Sequence, residues 1–171
     1  MKIGKIRDVK TPNRAHSTDA GIDFYLPKLT PEFVSMLKSK NQKSGIWVDT
    51  VDNRNRLIIP SHDTVLIPSG IKMKVPANHA LVFFNKSGIS AKEGLIIGAC
   101  VIDDGYEGEV HINLLNPSKT PGYIYEDQKT VQGLLLKLNF ENIEEVQLED
   151  LYDKKSERGE TGFGDSDNTK M

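Results

Sequence analysis

Leu95-Ile96-Ile97-Gly98-Ala99-Cys100-Val101-Ile102-Asp103-Asp104-Gly105-Tyr106-Glu107-Gly108-Glu109-Val110-His111-Ile112-Asn113-Leu114 sets the reading of the whole chain. An apolar run from Leu95 to Ile102 climbs to two adjacent carboxylates and breaks at Asp104-Gly105. It leaves as Val110, Ile112 and Leu114 alternating with His111 and Asn113. Asp-Gly between two such runs predicts a β-hairpin, because both turn residues tolerate φ > 0. A buried entry strand and a half-exposed return strand would hold Asp103 and Tyr106 near each other at one end, a place suited to chemistry on a small molecule. Taken alone, an Asp at such a turn is more often turn chemistry than catalysis.

The flanking sequence repeats the strand pattern. Short apolar runs occur at Ile46-Val51, Leu57-Ile59, Val65-Ile67, Ile71-Val75, Ala80-Phe84, Val131-Phe140 and Val146-Leu148, punctuated by Pro60, Pro68, Pro76 and Pro117. Proline cannot donate to a ladder and marks strand ends. Many short strands at such spacing predict an all-β sandwich or barrel. Residues 1–10 alternate Ile3, Ile6 and Val9 among cations and read as an edge strand, and Ile22-Asp23-Phe24-Tyr25 as a short one. Thr30-Pro31-Glu32 predicts the one clear helix over 31–39, with Thr as N-cap, Pro at the first position and Phe33, Met36 and Leu37 on one face. From Asp153 the chain has almost no apolar content and reads as a flexible tail.

Composition narrows the function classes. A chain of 171 residues is long enough to bury a core as one domain. A net charge of −2 gives no electrostatic reason to bind duplex nucleic acid. Cys100 is the single cysteine, which excludes an intrachain disulfide and favours a reducing compartment. No apolar run approaches the ~20 residues that cross a bilayer, and the first eight residues carry no apolar signal core. A cytoplasmic location is expected. His16, His62, His79 and His111 are scattered without zinc-type spacing.

Three further clusters carry chemistry-bearing residues. Asp19-Ala20-Gly21-Ile22-Asp23 sets a glycine between carboxylates at a strand entrance, which suits either Mg²⁺ held through water or an Asx turn. Asn85-Lys86-Ser87-Gly88 ends a strand in a cation, a hydroxyl and a glycine before a possible helical turn, a junction that suits phosphate oxygens. In the tail, Arg158-Gly159-Glu160-Thr161-Gly162-Phe163-Gly164-Asp165-Ser166 sets an aromatic between glycines beside an arginine, a combination that can grip phosphate and cover a base.

In order along the chain, these clusters resemble the five motifs of the trimeric dUTPase (deoxyuridine triphosphatase) family. Asp19–Phe24 is similar to the first, Lys86-Ser87-Gly88-Ile89 to the second, Gly98–Asp103 with Tyr106–Glu109 to the third, Lys129-Thr130-Val131-Gln132 to the fourth and Arg158–Gly164 to the fifth. The resemblance implies a jelly-roll-like all-β fold over residues 1–152, with a 28–56 insertion carrying the helix, and a flexible C-terminal arm, 153–171, acting as a lid. It implies a homotrimer with shared sites and Mg²⁺-dependent hydrolysis of dUTP to dUMP and pyrophosphate, by in-line attack of water on the α-phosphorus.

In that reading Asp103 is the general base, Tyr106 lies under the deoxyribose, and main chain at Cys100 and His111 reads uracil. Lys86, Ser87, Gly88 and Gln132 contact phosphate, and Asp23 assists catalysis by holding a water of the metal. Phe163 stacks on the base, with Arg158, Gly164 and Ser166 near the phosphates. The chain departs from the family pattern at Asn85-Lys86, where Pro-Arg is usual, at Lys129 for Arg, at Gly133 for an apolar residue, at Thr161 for Gly and at Asp165 for Ser. The 28–56 insertion is a candidate surface for another protein. The alternatives are a regulatory binding module on the same fold and the related dCTP deaminase.

Overall fold

The helix forms as its signals require. Thr30 Oγ1 accepts from the Phe33 N–H at 3.3 Å, Pro31 opens α1 (Pro31–Lys40), Glu32 lies in the first turn and Lys38 and Lys40 in the last. Charges so placed complement the helix dipole, and Phe33 and Leu37 are buried. The structure, a computed structural model, describes residues 1–157, 159 and 160.

Among these residues the remaining elements are strands, β1 (Lys2–Lys5), β2 (Ile22–Tyr25), β3 (Trp47–Val51), β4 (Arg54–Ile59), β5 (Thr64–Lys74), β6 (His79–Asn85), β7 (Ile96–Ile97), β8 (Val101–Asp103), β9 (Glu109–Leu115), β10 (Gly122–Tyr125) and β11 (Lys129–Lys137), with one short helix, α2 (Ser87–Glu93). They pair antiparallel in three open sheets, ordered β1-β5-β9-β7, β10-β4-β3 and β2-β11-β6-β8; no sheet closes into a barrel. The chain divides into two compact units, Met1–Asn139 and Phe140–Met171. In the first, alternate strand residues meet in one core, with Phe24 and Phe83 edge to face at 4.8 Å. In the second, a 3₁₀ turn, Leu148–Asp150, stands where the sequence predicts a strand over Val146-Leu148.

The predicted hairpin is not one continuous ladder. The run Leu95–Ile102 is two strands: β7 pairs with β9, while β8 pairs with β6 in a different sheet. Neither Asp104 nor Gly105 has positive φ, and the turn is closed by the Tyr106 N–H on the Asp103 carbonyl at 3.2 Å. The left-handed two-residue turn lies instead at Asp52-Asn53 (φ 49° and 58°), joining β3 to β4. Pro68 does not end a strand either. It lies inside β5, opposite His111, where the register shifts between Pro68 and Lys72, and a bulge tolerates the missing donor. The strand β10 was not anticipated.

Candidate active site

β7 and β9 pair as Ile96 with Leu115 and Ile97 with Leu114, and the Gly98 N–H still reaches the Asn113 carbonyl at 2.9 Å. Continued, that register would set Cys100 opposite His111. The ladder stops first, because the Cys100 carbonyl accepts from the Phe83 N–H at 2.8 Å and draws the chain towards β6. Asn113 holds the parting strands: its Oδ1 accepts from the Ala99 N–H at 3.0 Å, and its Nδ2 reaches Thr64 Oγ1 and the Val65 carbonyl, both at 3.2 Å. Main-chain groups alternate along a strand, so the N–H and C=O of His111 point to the side that β7 has vacated.

The gap is a cavity of about 190 Å³ lined by Cys100, Asp103, Tyr106, His111 and Asn113 among others. Four residues singled out from sequence thus share one cavity. Asp103 is exposed at the end of β8, and its carboxylate makes no hydrogen bond among the described residues. Its neighbour Asp104 is committed, accepting from the Asn78 N–H at 3.0 Å. Asn113 was not singled out from sequence, since a polar residue alternating with apolar ones reads as an ordinary solvent face.

A Cβ on Gly98 would lie 1.9 Å from Asn113 Oδ1 and 2.6 Å from Leu115 Cδ1. Asn113 is tied at three points and cannot retreat cheaply. Gly98→Ala is expected to lower stability by about 1–3 kcal/mol through overpacking, measured as a shift of the urea midpoint at unchanged slope.

A second cluster surrounds Asp23 on β2, which is 2% exposed. Lys86 Nζ lies 2.6 Å from its Oδ1 and Lys129 Nζ 2.6 Å from its Oδ2. Burial is the largest single influence on this carboxyl and pushes it up. The hydrogen bonds from Lys129 and Lys86, with their charges, together outweigh that and hold it below the ordinary carboxylate range. Asp23 also draws Lys129 upward. Gln132, opposite Asp23 in the ladder, donates to the Asn85 carbonyl at 2.9 Å and packs over Gly21, where a Cβ would meet its Oε1 at 2.4 Å. Lys86 is the N-cap of α2 and offers no side-chain cap, while Ser87 and Gly88 are exposed with open space at Gly88. The first-turn N–H groups there have no intrahelical partners and suit an anion. Among the described residues no group of three or more His, Cys, Asp or Glu could hold a metal ion.

The two clusters do not meet within one chain. Asp23 on β2 aligns through Gln132 with Phe84 of β6, whereas Asp103 on β8 aligns with Ala80. They are separated by three strand spacings and four residues along β6, or roughly 20 Å from strand geometry. Arg158, Phe163, Gly164 and Ser166 lie outside the described residues.

The dUTPase family model matches residues 34–167. The Pol polyprotein of equine infectious anemia virus (strain Wyoming) is 36% identical over 108 residues, which is 63% of this chain but only 9% of that polyprotein. The deoxyuridine 5'-triphosphate nucleotidohydrolase of Clostridioides difficile is 29% identical over 167 residues, covering 96% of this chain and 95% of that protein. Among solved structures, the G164S mutant of the dUTPase of Staphylococcus bacteriophage 80alpha, determined with dUpNHpp, superposes with a TM-score of 0.69 at 19% identity over 96% of each chain. At that identity the likeness speaks for the fold, which is jelly-roll-like.

Proposed function

Since this chain belongs to the dUTPase family, we propose that it hydrolyses dUTP to dUMP and pyrophosphate. The observation that carries this reading is the convergence of Cys100, Asp103, Tyr106 and His111 on one cavity. Main-chain donors and acceptors facing that cavity can pair with uracil as a base would. Asp103 takes a proton from water, the water oxygen attacks the α-phosphorus in line, and the bond to the bridging oxygen of the β-phosphate breaks. A carboxylate not tied up elsewhere suits a general base. The deaminase and binding-module alternatives are not favoured by the family match.

Separation of the clusters supports a shared site in a homotrimer. Asp103 and the phosphate-binding groups must act on one triphosphate, and roughly 20 Å by strand geometry exceeds the reach of one chain's two halves. One subunit therefore supplies the base cavity, and another supplies Lys86, Ser87, Gly88 and Gln132. Exposed Val101, Phe84, Ile96 and Leu115 give a second copy apolar surface to cover. Arg158, Phe163, Gly164 and Ser166 would close over base and phosphates as part of a 153–171 lid.

Mg²⁺ fits as a companion of the triphosphate. Asp23 already holds two ammonium groups, so among the described residues a bare ion has no protein cage here, whereas a hydrated ion on phosphate oxygens needs only one water contact. Bound there it would neutralise phosphate charge. Asp23 can reach such a water once Lys86 or Lys129 turns to the phosphates; both side chains are part-exposed, at 28% and 37%. Cytoplasmic nucleotide is the expected substrate pool. A protein partner at 28–56 is supported by Trp47, 41% exposed on β3 at the edge of its sheet.

The test is pyrophosphate release from dUTP, dCTP, dTTP and UTP with Mg²⁺, alongside a sizing column. Turnover confined to dUTP by a trimer is expected. Intact dUTP would overturn the activity, and an active monomer would overturn the shared site. A protein ending at Glu157 is expected to keep its oligomeric state and lose most of its turnover.

A further inference from the structure

Glu109 is engaged through both its side chain and its carbonyl. Its carboxylate is 14% exposed; Oε2 accepts from Arg7 Nη2 and Oε1 from the Gly70 N–H, each at 2.7 Å. Its main-chain carbonyl accepts from the Tyr106 hydroxyl at 2.9 Å and lies 2.7 Å from His111 Nδ1. A carbonyl can only accept, so that ring nitrogen carries a proton. The Tyr106 ring is pressed onto Gly108, where a Cβ would lie 2.3 Å from the hydroxyl oxygen. Two side chains of the cavity wall therefore hang from one carbonyl, and the residue bearing it is gripped from outside the cavity.

The grip is itself held. Arg7 crosses Gly70 (φ 77°), where a Cβ would meet Arg7 Cγ at 2.5 Å. Its guanidinium lies 5.5 Å from the Phe33 ring centroid, and Nη1 is 3.5 Å from Met36 Sδ. Phe33 and Met36 belong to α1, so the insertion helix backs the same contact.

We infer that Arg7 and Glu109 are positioning residues for sugar discrimination: they stiffen the Tyr106–His111 wall so that a 2′-hydroxyl finds no room. This rests on the reading above that Tyr106 lies against the deoxyribose. Rejecting one extra oxygen by contact alone demands a wall that does not rock, because an apolar surface that can yield discriminates weakly, and precision comes from the shell that locks the contacting side chains. A charge-assisted bond between part-buried partners supplies that lock.

Two readouts test it on the full chain: kcat and KM for dUTP and UTP, and amide hydrogen exchange over residues 104–112. Arg7→Met keeps the stem and removes the guanidinium. It is expected to lower the dUTP:UTP ratio of kcat/KM by about tenfold, the scale of one charge-assisted bond. The loss should come chiefly through UTP, with kcat for dUTP retained, and residues 104–112 should exchange faster while β6 and β11 do not. Arg7→Lys should restore part of the ratio. Should Arg7→Met fail to fold, Glu109→Gln keeps an acceptor for the Gly70 N–H but sets an amide donor against the Arg7 guanidinium, removing its grip, with the same expected directions. A folded variant with an unchanged ratio, or with unchanged exchange over 104–112, overturns the inference. Absence of dUTP turnover in the wild type would sink the catalytic reading instead, and the exchange arm would still decide whether Arg7 fixes this wall.

Discussion

Asp103→Asn should lower kcat for dUTP by about 10³-fold, within the range general-base catalysis supplies, while KM stays within severalfold of wild type. Three carboxylates are candidates for the base, and their surroundings separate them. Asp23 is buried with an ammonium group on each oxygen, and Asp104 is spent on the Asn78 N–H. Asp103 alone of the three lines the cavity between β8 and β9, and its carboxylate makes no hydrogen bond among the described residues. Asn preserves shape and one hydrogen-bonding oxygen but cannot take a proton from water, so substrate still binds and the chemical step stops. Steady-state kinetics on a variant with the wild-type oligomeric state is the check, with Asp104→Asn as the companion expected to change stability more than rate. If Asp103→Asn turns over dUTP as fast as wild type, the base is elsewhere.

Local chemistry was legible in the sequence wherever neighbours along the chain decide the outcome. Thr30-Pro31-Glu32 declares its helix because cap, first position and first turn are consecutive residues. The alternation of Val110, Ile112 and Leu114 survives as the buried face of β9. What escaped depends on partners far away. Asp104-Gly105 carries a hairpin signal, yet β6 recruits β8 through long-range bonds such as Phe83 to Cys100, and the expected pair of strands ends in two sheets. Pro68 looks like a terminator until a bulge accommodates it.

At the site, residue types were readable but their pairing was not. Lys86 and Lys129 each appeared as a departure from an arginine pattern. Only the fold shows both committed to Asp23, from 63 residues away in the case of Lys86. Glu109 is one acid among many in the sequence, and its hold on Tyr106 and His111 exists only in three dimensions.

Asp23→Asn should cost roughly 2 kcal/mol of stability at pH 7, and the deficit should shrink in acid. Removing one partner of a buried ion pair typically costs 3–5 kcal/mol. Here roughly half of that is expected, because the two lysines left behind are part-exposed and can recover water. The sign follows from the titration. The carboxyl of Asp23 is held below its unfolded value in the native state. Its contribution is therefore complete above the unfolded value, about 3.9, and is lost as pH falls through the lower folded one. Urea unfolding at pH 7 and again below the unfolded value would measure this, with the gap between wild type and Asp23→Asn narrowing at the lower pH. Equal gaps would mean that the residue stabilises by packing or neutral hydrogen bonds, not by charge. The same variant separates structure from function: it leaves Lys86 and Lys129 unneutralised beside the proposed phosphate site, so triphosphate binding should be retained or tightened while kcat falls. A parallel loss of both would assign Asp23 to the fold and not to the reaction.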